Sequence, residues 1–244
     1  MIKKIELSEH LSVPDEEPFG CRIRAAEAAY GLSEPFAQFW KQEGNGTVLG
    51  KLDDGLVLSA DGPDVTEWKE FIRILGVRTL LCSEETAEQF GYSPDARGEI
   101  MVLHPEPGKP LADVVMNPSP REIYALLQKS RTETFVPPDF ESFYMDLSFR
   151  TRHGTALTAG VRQGGELAAC AVCSAKTEHA AIVSSVACLP ELRRHGYAGT
   201  AVCALTDRLQ RPNVYIFRRD GENEAFYRSL GFVPYGRWAE MLFG

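Results

Sequence analysis

The chain has 244 residues, of which 44% are hydrophobic and 25% charged, and a formal net charge of −8. A core large enough to fold without disulfides or metals is expected. The acidic balance argues against nucleic-acid binding, which needs a basic face to displace counterions.

The N-terminus lacks a signal peptide's apolar core, because charge returns at Glu6 and Glu9. No stretch of about 18 uncharged apolar residues, the length of a membrane span, occurs. The cytoplasm is therefore the expected compartment, with no membrane partner.

In the front half, residues 47–58 read as a hairpin with Asp54-Gly55 at its turn. Asp64-Val-Thr-Glu67 has the spacing of a capping box opening a helix that closes at Gly76. Val77–Cys82 is a strand, and Ser83 caps a short helix reaching Phe90. His104-Pro-Glu-Pro-Gly-Lys-Pro110 cannot be a helix interior or central strand, so it suits a linker between domains 1–108 and 109–244.

The back half opens with a short strand at Ala112–Met116 and helices at 121–130 and 140–149. Apolar runs at 155–162 and 166–174 flank Gln163-Gly-Gly165 as a hairpin. A third strand, 180–189, leads through a basic loop into a helix with Ala198, Ala201, Val202, Leu205 and Leu209 on one face. Asn213–Phe217 is a buried strand. A helix from about Glu222 to Leu230 and a last strand or pair through Phe243 complete the chain. Hairpin, helix, strand and helix thus occur in the same order in both halves.

The six cysteines sit mostly in apolar runs and are expected as reduced thiols. Cys170-Ala-Val-Cys173 lies in a strand, and no second Cys or His pair stands at metal-ligand spacing, so packing is the expected role and no metal is expected.

Two segments carry chemistry. Arg193-Arg-His-Gly-Tyr-Ala198 joins a strand to a helix N-terminus, where unpaired amides can meet phosphate oxygens and Gly196 allows close approach. By spacing alone it reads equally as a surface turn. Asp220-Gly-Glu-Asn-Glu-Ala-Phe-Tyr227-Arg-Ser-Leu-Gly-Phe232 alone is a capped short helix with a packing tyrosine.

Together they resemble the GCN5-related N-acetyltransferase superfamily. Arg193-x-x-Gly196-x-Ala198 matches its Gln/Arg-x-x-Gly-x-Gly/Ala loop, Leu189-Pro-Glu-Leu-Arg193 its usual lead-in, and Tyr227 with Gly231-Phe232 its Tyr-x-x-x-Gly-Phe. The resemblance covers residues 112–244. It implies an α/β (α+β) fold with a mixed, mostly antiparallel sheet flanked by helices, and acetyl-CoA as cosubstrate. Arg193, Arg194, His195, Gly196, Tyr197, Ala198, Gly199 and Thr200 would form the pyrophosphate loop. The strand edge at Val186, Ala187 and Cys188 would pair with pantetheine and polarise the thioester carbonyl, and Tyr227 would protonate the leaving thiolate.

The family's usual Asn seven residues before the tyrosine is replaced by Asp220, and Asn223, expected one helical turn later, is taken as its substitute. Glu178 and His179, just ahead of the third strand, are candidates for relaying the amine's proton. Cys188 offers a covalent route, but direct transfer is favoured. The front half is expected as a degenerate copy without the basic loop, walling the acceptor cleft. The acceptor is a small-molecule or peptide amine, and a homodimer is compatible with the sequence. The rival readings are a non-catalytic acetyl-CoA-binding module and a nucleotide-binding protein of another fold.

Overall fold

A computed structural model describes residues 1–105 and 113–243. The expected linker lies outside them from residue 106 onward, as do the 108/109 boundary and Ala112. In chain order the elements are β1 (Ile2–Lys4), α1 (Pro18–Tyr30), β2 (Ala37–Gln42), β3 (Val48–Leu52), β4 (Gly55–Ser59), α2 (Val65–Leu75), β5 (Thr79–Ser83), α3 (Glu84–Gln89) and β6 (Ala96–Leu103). There follow β7 (Val114–Met116), α4 (Pro120–Lys129), α5 (Phe140–Arg152), β8 (Leu157–Gln163), β9 (Glu166–Lys176) and β10 (Ala180–Cys188). The chain closes with α6 (Tyr197–Leu209), β11 (Asn213–Arg219), α7 (Glu224–Ser229) and β12 (Val233–Leu242). No helix among the described residues is long and apolar enough to cross a membrane.

The chain forms two compact units: residues 1–102, 217–224 and 233–244, and residues 103–216 and 225–232. The first has strand order β1-β2-β3-β4-β5-β12-β6, antiparallel except for β4 beside β5. The helix α2 buries Trp68 and Ile72 against Leu49, Leu58 and Leu80 while Ile74 faces solvent, the pattern of a one-sided helix. Asp64 accepts from the Glu67 amide as expected. The reciprocal half of the capping box does not form. Glu67 instead takes hydrogen bonds from the Ile2 amide and the Gln42 side chain, because these long-range donors outcompete the local one.

The sequence reading places residues 233–244 with the back half. In the structure β12 lies between β5 and β6 of the first unit, pairing Trp238–Leu242 with Thr79–Ser83 and Val233–Glu240 with Ala96–Val102. Strand propensity marks residues 233–242 as extended, but it does not name the partner.

The second unit has strand order β11-β10-β9-β8-β7, with β10 and β11 the parallel pair. Ser119 and Glu122 form a complete capping box at the start of α4, which turns Ile123, Leu126 and Leu127 into the core. Each such side chain contributes about 1.5–3 kcal/mol on burial. On the same unit α6 packs over β8, β9 and β10 through Ala201, Val202, Leu205 and Leu209.

Candidate active site

The strand β10 has a parallel partner along only its first part, where Ala180–Val183 lie beside Asn213–Ile216. On its other side it stays paired to β9 as far as Cys188. That ladder slips between Ser184 and Ala187, and Ser185 takes a left-handed φ of 46°. This is a bulge: an extra residue that re-aims the chain beyond it. The Leu189 amide donates to the Ala168 carbonyl at 2.9 Å. By strand alternation the N–H and C=O of Cys188 then point away from β9, toward the edge beyond the end of the β11 pairing. There the buried Ser130 hydroxyl donates to the Cys188 carbonyl at 3.1 Å.

Beyond β10 a short 3-10 turn, Pro190–Leu192, delivers Arg193 in an extended conformation. Arg194 (φ 67°) and Gly196 (φ 86°) are both left-handed. Alternation of this kind points successive amides into one concavity, a nest for an anion. The helix α6 then starts at Tyr197, and its first internal hydrogen bond is Thr200 N–H to Gly196 O at 2.9 Å. The amides of Tyr197, Ala198 and Gly199 therefore have no partner within the helix.

No side chain caps α6. The contrast with α2, α3, α4 and α5 is sharp, because Asp64, Ser83, Ser119 and Asp139 accept from their first-turn amides. The positive end of α6 is thus bare, and the exposed Arg193, Arg194 and His195 stand around it. His195 Nδ1 lies 2.8 Å from the Arg193 carbonyl, and its ring stacks on Tyr197. Gly199 serves packing as well as clearance: a Cβ there would stand 3.3 Å from Leu230.

Tyr227 sits in α7, half-buried, with Phe226 and Phe232 ring centroids 4.9 and 5.7 Å away. Burial pushes its phenol up to about 12, so it carries its proton at every physiological pH. The half-buried Cys188 thiol is also raised: burial outweighs the lowering by Arg193. It donates to the Leu192 carbonyl, and a protonated thiol does not suit the covalent route. Cys170 and Cys173 are buried, and burial lifts their thiols to about 12 and about 11.

Several expected candidates lie elsewhere. Glu178 and His179 precede β10 at its N-terminal end, where the Asn213 amide donates to the His179 carbonyl. At about 3.3 Å per residue, the length of β10 puts them roughly 20 Å from Val186. Asp220 is bound by Arg237 at 2.7 Å, and that hydrogen bond holds its carboxyl below the usual range. Asn223 is exposed and left-handed (φ 55°), and it belongs to the first unit. It does not share a helical face with Asp220, because α7 begins only at Glu224. The bulge at Ser185 and the Ser130 contact escape sequence reading. The only sign of either is a pair of serines within an apolar strand.

Residues 121–232 match the model of the acetyltransferase (GNAT) family, and the chain carries an N-acetyltransferase domain of that family. Similar solved structures include a GCN5-related N-acetyltransferase from Kribbella flavida, 17% identical with TM-score 0.60, covering 90% of this chain and 94% of that one. A tandem GNAT protein from the clavulanic acid biosynthesis pathway is 15% identical with TM-score 0.58, covering 98% and 97%. An acetyltransferase of the GNAT family from Novosphingobium aromaticivorans is 16% identical with TM-score 0.60, covering 94% and 97%. At these identities the likeness is one of fold. No curated protein matches the chain.

Proposed function

We propose that the protein transfers the acetyl group of acetyl-CoA directly to an amine acceptor, at the second unit. The observation that carries this reading is the bare, basic N-terminus of α6 set immediately after a β10 edge that, among the described residues, lacks a partner strand beyond Val183. A pyrophosphate needs several convergent N–H donors and positive charge, which Arg193–Thr200 offer. A pantetheine arm needs main-chain donors and acceptors along an extended edge, which Val186–Cys188 offer.

In the reaction the amine nitrogen attacks the thioester carbonyl carbon, the C–S bond breaks, and the sulfur leaves as a thiolate. An edge amide of β10 placed against the carbonyl oxygen stabilises the charge that develops there. Tyr227 serves the sulfur. A phenol near 12 does not fully protonate a thiolate whose conjugate acid lies at about 8.5. Its contribution is a hydrogen bond that strengthens as charge builds, with the proton passing on as the amine releases its own. The raised Cys188 thiol favours transfer without a cysteine intermediate. The first unit is read as a copy of the same element order that has lost the phosphate loop.

The test is titration of the intact protein with acetyl-CoA and with ATP, followed by thiol release in the presence of a panel of amines. Tighter binding of acetyl-CoA than of ATP, with amine-dependent release of CoA, is expected. Preference for ATP would overturn the reading. Binding without thiol release for any amine would reduce the unit to an acetyl-CoA-binding module.

A further inference from the structure

The first unit contains a cavity of about 460 Å³, lined only by its own residues. It exists because β5 is short. Its pairing with β4 ends at Val57–Leu81 and its pairing with β12 begins at Trp238–Ser83. Beyond Ser83 the chain turns into α3, while β12 continues back through Arg237, Gly236 and Tyr235. A slot of about two strand spacings, roughly 10 Å, opens where β5 is missing. The volume suits a small organic ligand.

The walls say what kind. Phe19, Leu58 and Ile100 are buried apolar side chains forming one side. Glu17, Glu85 and Glu88 line the cavity and are exposed, and Glu84 pairs with Arg237. Among the described lining residues Arg237 is the one cation, and it is already held by Glu84 and by Asp220.

Anions find little here. The α1 end at the cavity has no side-chain cap, as at α6, but its first residue is Pro18, which has no N–H, and Gly20 lies against the Pro14 carbonyl. We propose that this cavity is a second ligand site, which takes a small primary amine with an apolar body: the ammonium lies among Glu17, Glu85 and Glu88, and the body against Phe19, Leu58 and Ile100. The cavity carries the inference and the carboxylates set the sign of the ligand. The site is independent of acetyl-CoA binding by the second unit.

The experiment is isothermal titration of the intact protein with hexylamine, 1-hexanol and hexanoate near neutral pH. Saturable binding of hexylamine is expected, at least tenfold tighter than that of the alcohol or the carboxylate. Glu85→Gln/Glu88→Gln should weaken hexylamine at least tenfold, and Ala60→Trp, which fills the slot from its wall, should abolish it. Circular dichroism melts of both variants check that they fold, and Arg193→Glu/Arg194→Glu should leave hexylamine binding unchanged. Absence of hexylamine binding, equal binding of 1-hexanol, or undiminished binding in either folded variant would overturn the proposal.

Discussion

Both units place a loop and a helix after the first strand of their parallel pair, β4–α2 in the first and β10–α6 in the second. The two loops have opposite chemistry. Arg193–Gly196 is basic and leads into a helix with no side-chain cap. Asp61–Asp64 is acidic, and the amides of both aspartates are taken. The Asp61 amide donates to Thr47 Oγ1 at 3.0 Å, the Asp64 amide to Gln42 Oε1 at 2.8 Å, and Pro63 has no N–H. Asp64 itself accepts from the Glu67 amide, filling the position an anion would occupy. Topology thus provides the location in both units, and a few side chains decide whether a phosphate can use it.

The largest effect should come from the phenol that hydrogen-bonds the departing sulfur. Tyr227→Phe removes only a hydroxyl, and general acid–base groups are typically worth about 10²–10⁴-fold. Turnover should fall within that range while acetyl-CoA affinity holds in a direct binding titration. Unaltered turnover would remove Tyr227 from the chemistry.

Reversing charge at the second loop should come next. Hydrogen bonds to charged groups are worth about 1.5–3 kcal/mol, so Arg193→Glu/Arg194→Glu should weaken acetyl-CoA by about a hundredfold in calorimetry, the lower part of that range applying to exposed groups. The converse substitution, Asp61→Arg in the first loop, should create no measurable acetyl-CoA site, because the Asp61 and Asp64 amides are already bonded and Pro63 has none. A second binding event in that variant would show that charge alone had separated the loops.

The backbone gives a smaller contrast. Gly196 and Gly76 are both left-handed, at φ 86° and 60°, and an alanine in that region costs about 1–2 kcal/mol. Both Gly→Ala variants should melt a few degrees lower. Only Gly196→Ala should also weaken acetyl-CoA, since Gly76 merely ends α2.

The smallest effect is in pH. Tyr227 is raised from 10 to about 12, so the folded state keeps a proton that the unfolded chain has lost. Its contribution to stability is complete below pH 10 and falls away as pH rises toward about 12. Asp220 is lowered from 3.8 by Arg237, so its contribution is present above that pH and is lost as pH falls below it. Denaturant midpoints should show a shallower alkaline decline in Tyr227→Phe and a shallower acid decline in Asp220→Asn.

The parts of the site legible in the sequence are those made by neighbours along the chain. The loop at 193–196, the start of α6, the cap at Ser83 and the helix end at Gly76 depend on local spacing and on which residues accept a positive φ. Tyr227 was legible for the same reason, through its fixed distance to Gly231 and Phe232. Glu178 and His179 stand at the end of β10 opposite the basic loop, because proximity to a strand in sequence does not say which of its ends lies near a given group. Asn223 lies just before α7 rather than on its face, because α7 starts later than its pattern suggests.

The sequence by itself therefore determined a strand, an anion-ready loop and an uncapped helix, because each arises from dihedral and hydrogen-bonding preferences within a few residues. Tertiary structure alone decided that β12 pairs with β5 and β6, that Ser185 bulges, that Ser130 reaches Cys188, and that the short β5 leaves a cavity. The physical reason is common to all four. Each depends on which edges and side chains meet across long sequence separations, and a strand's own residues fix its conformation without naming its neighbour.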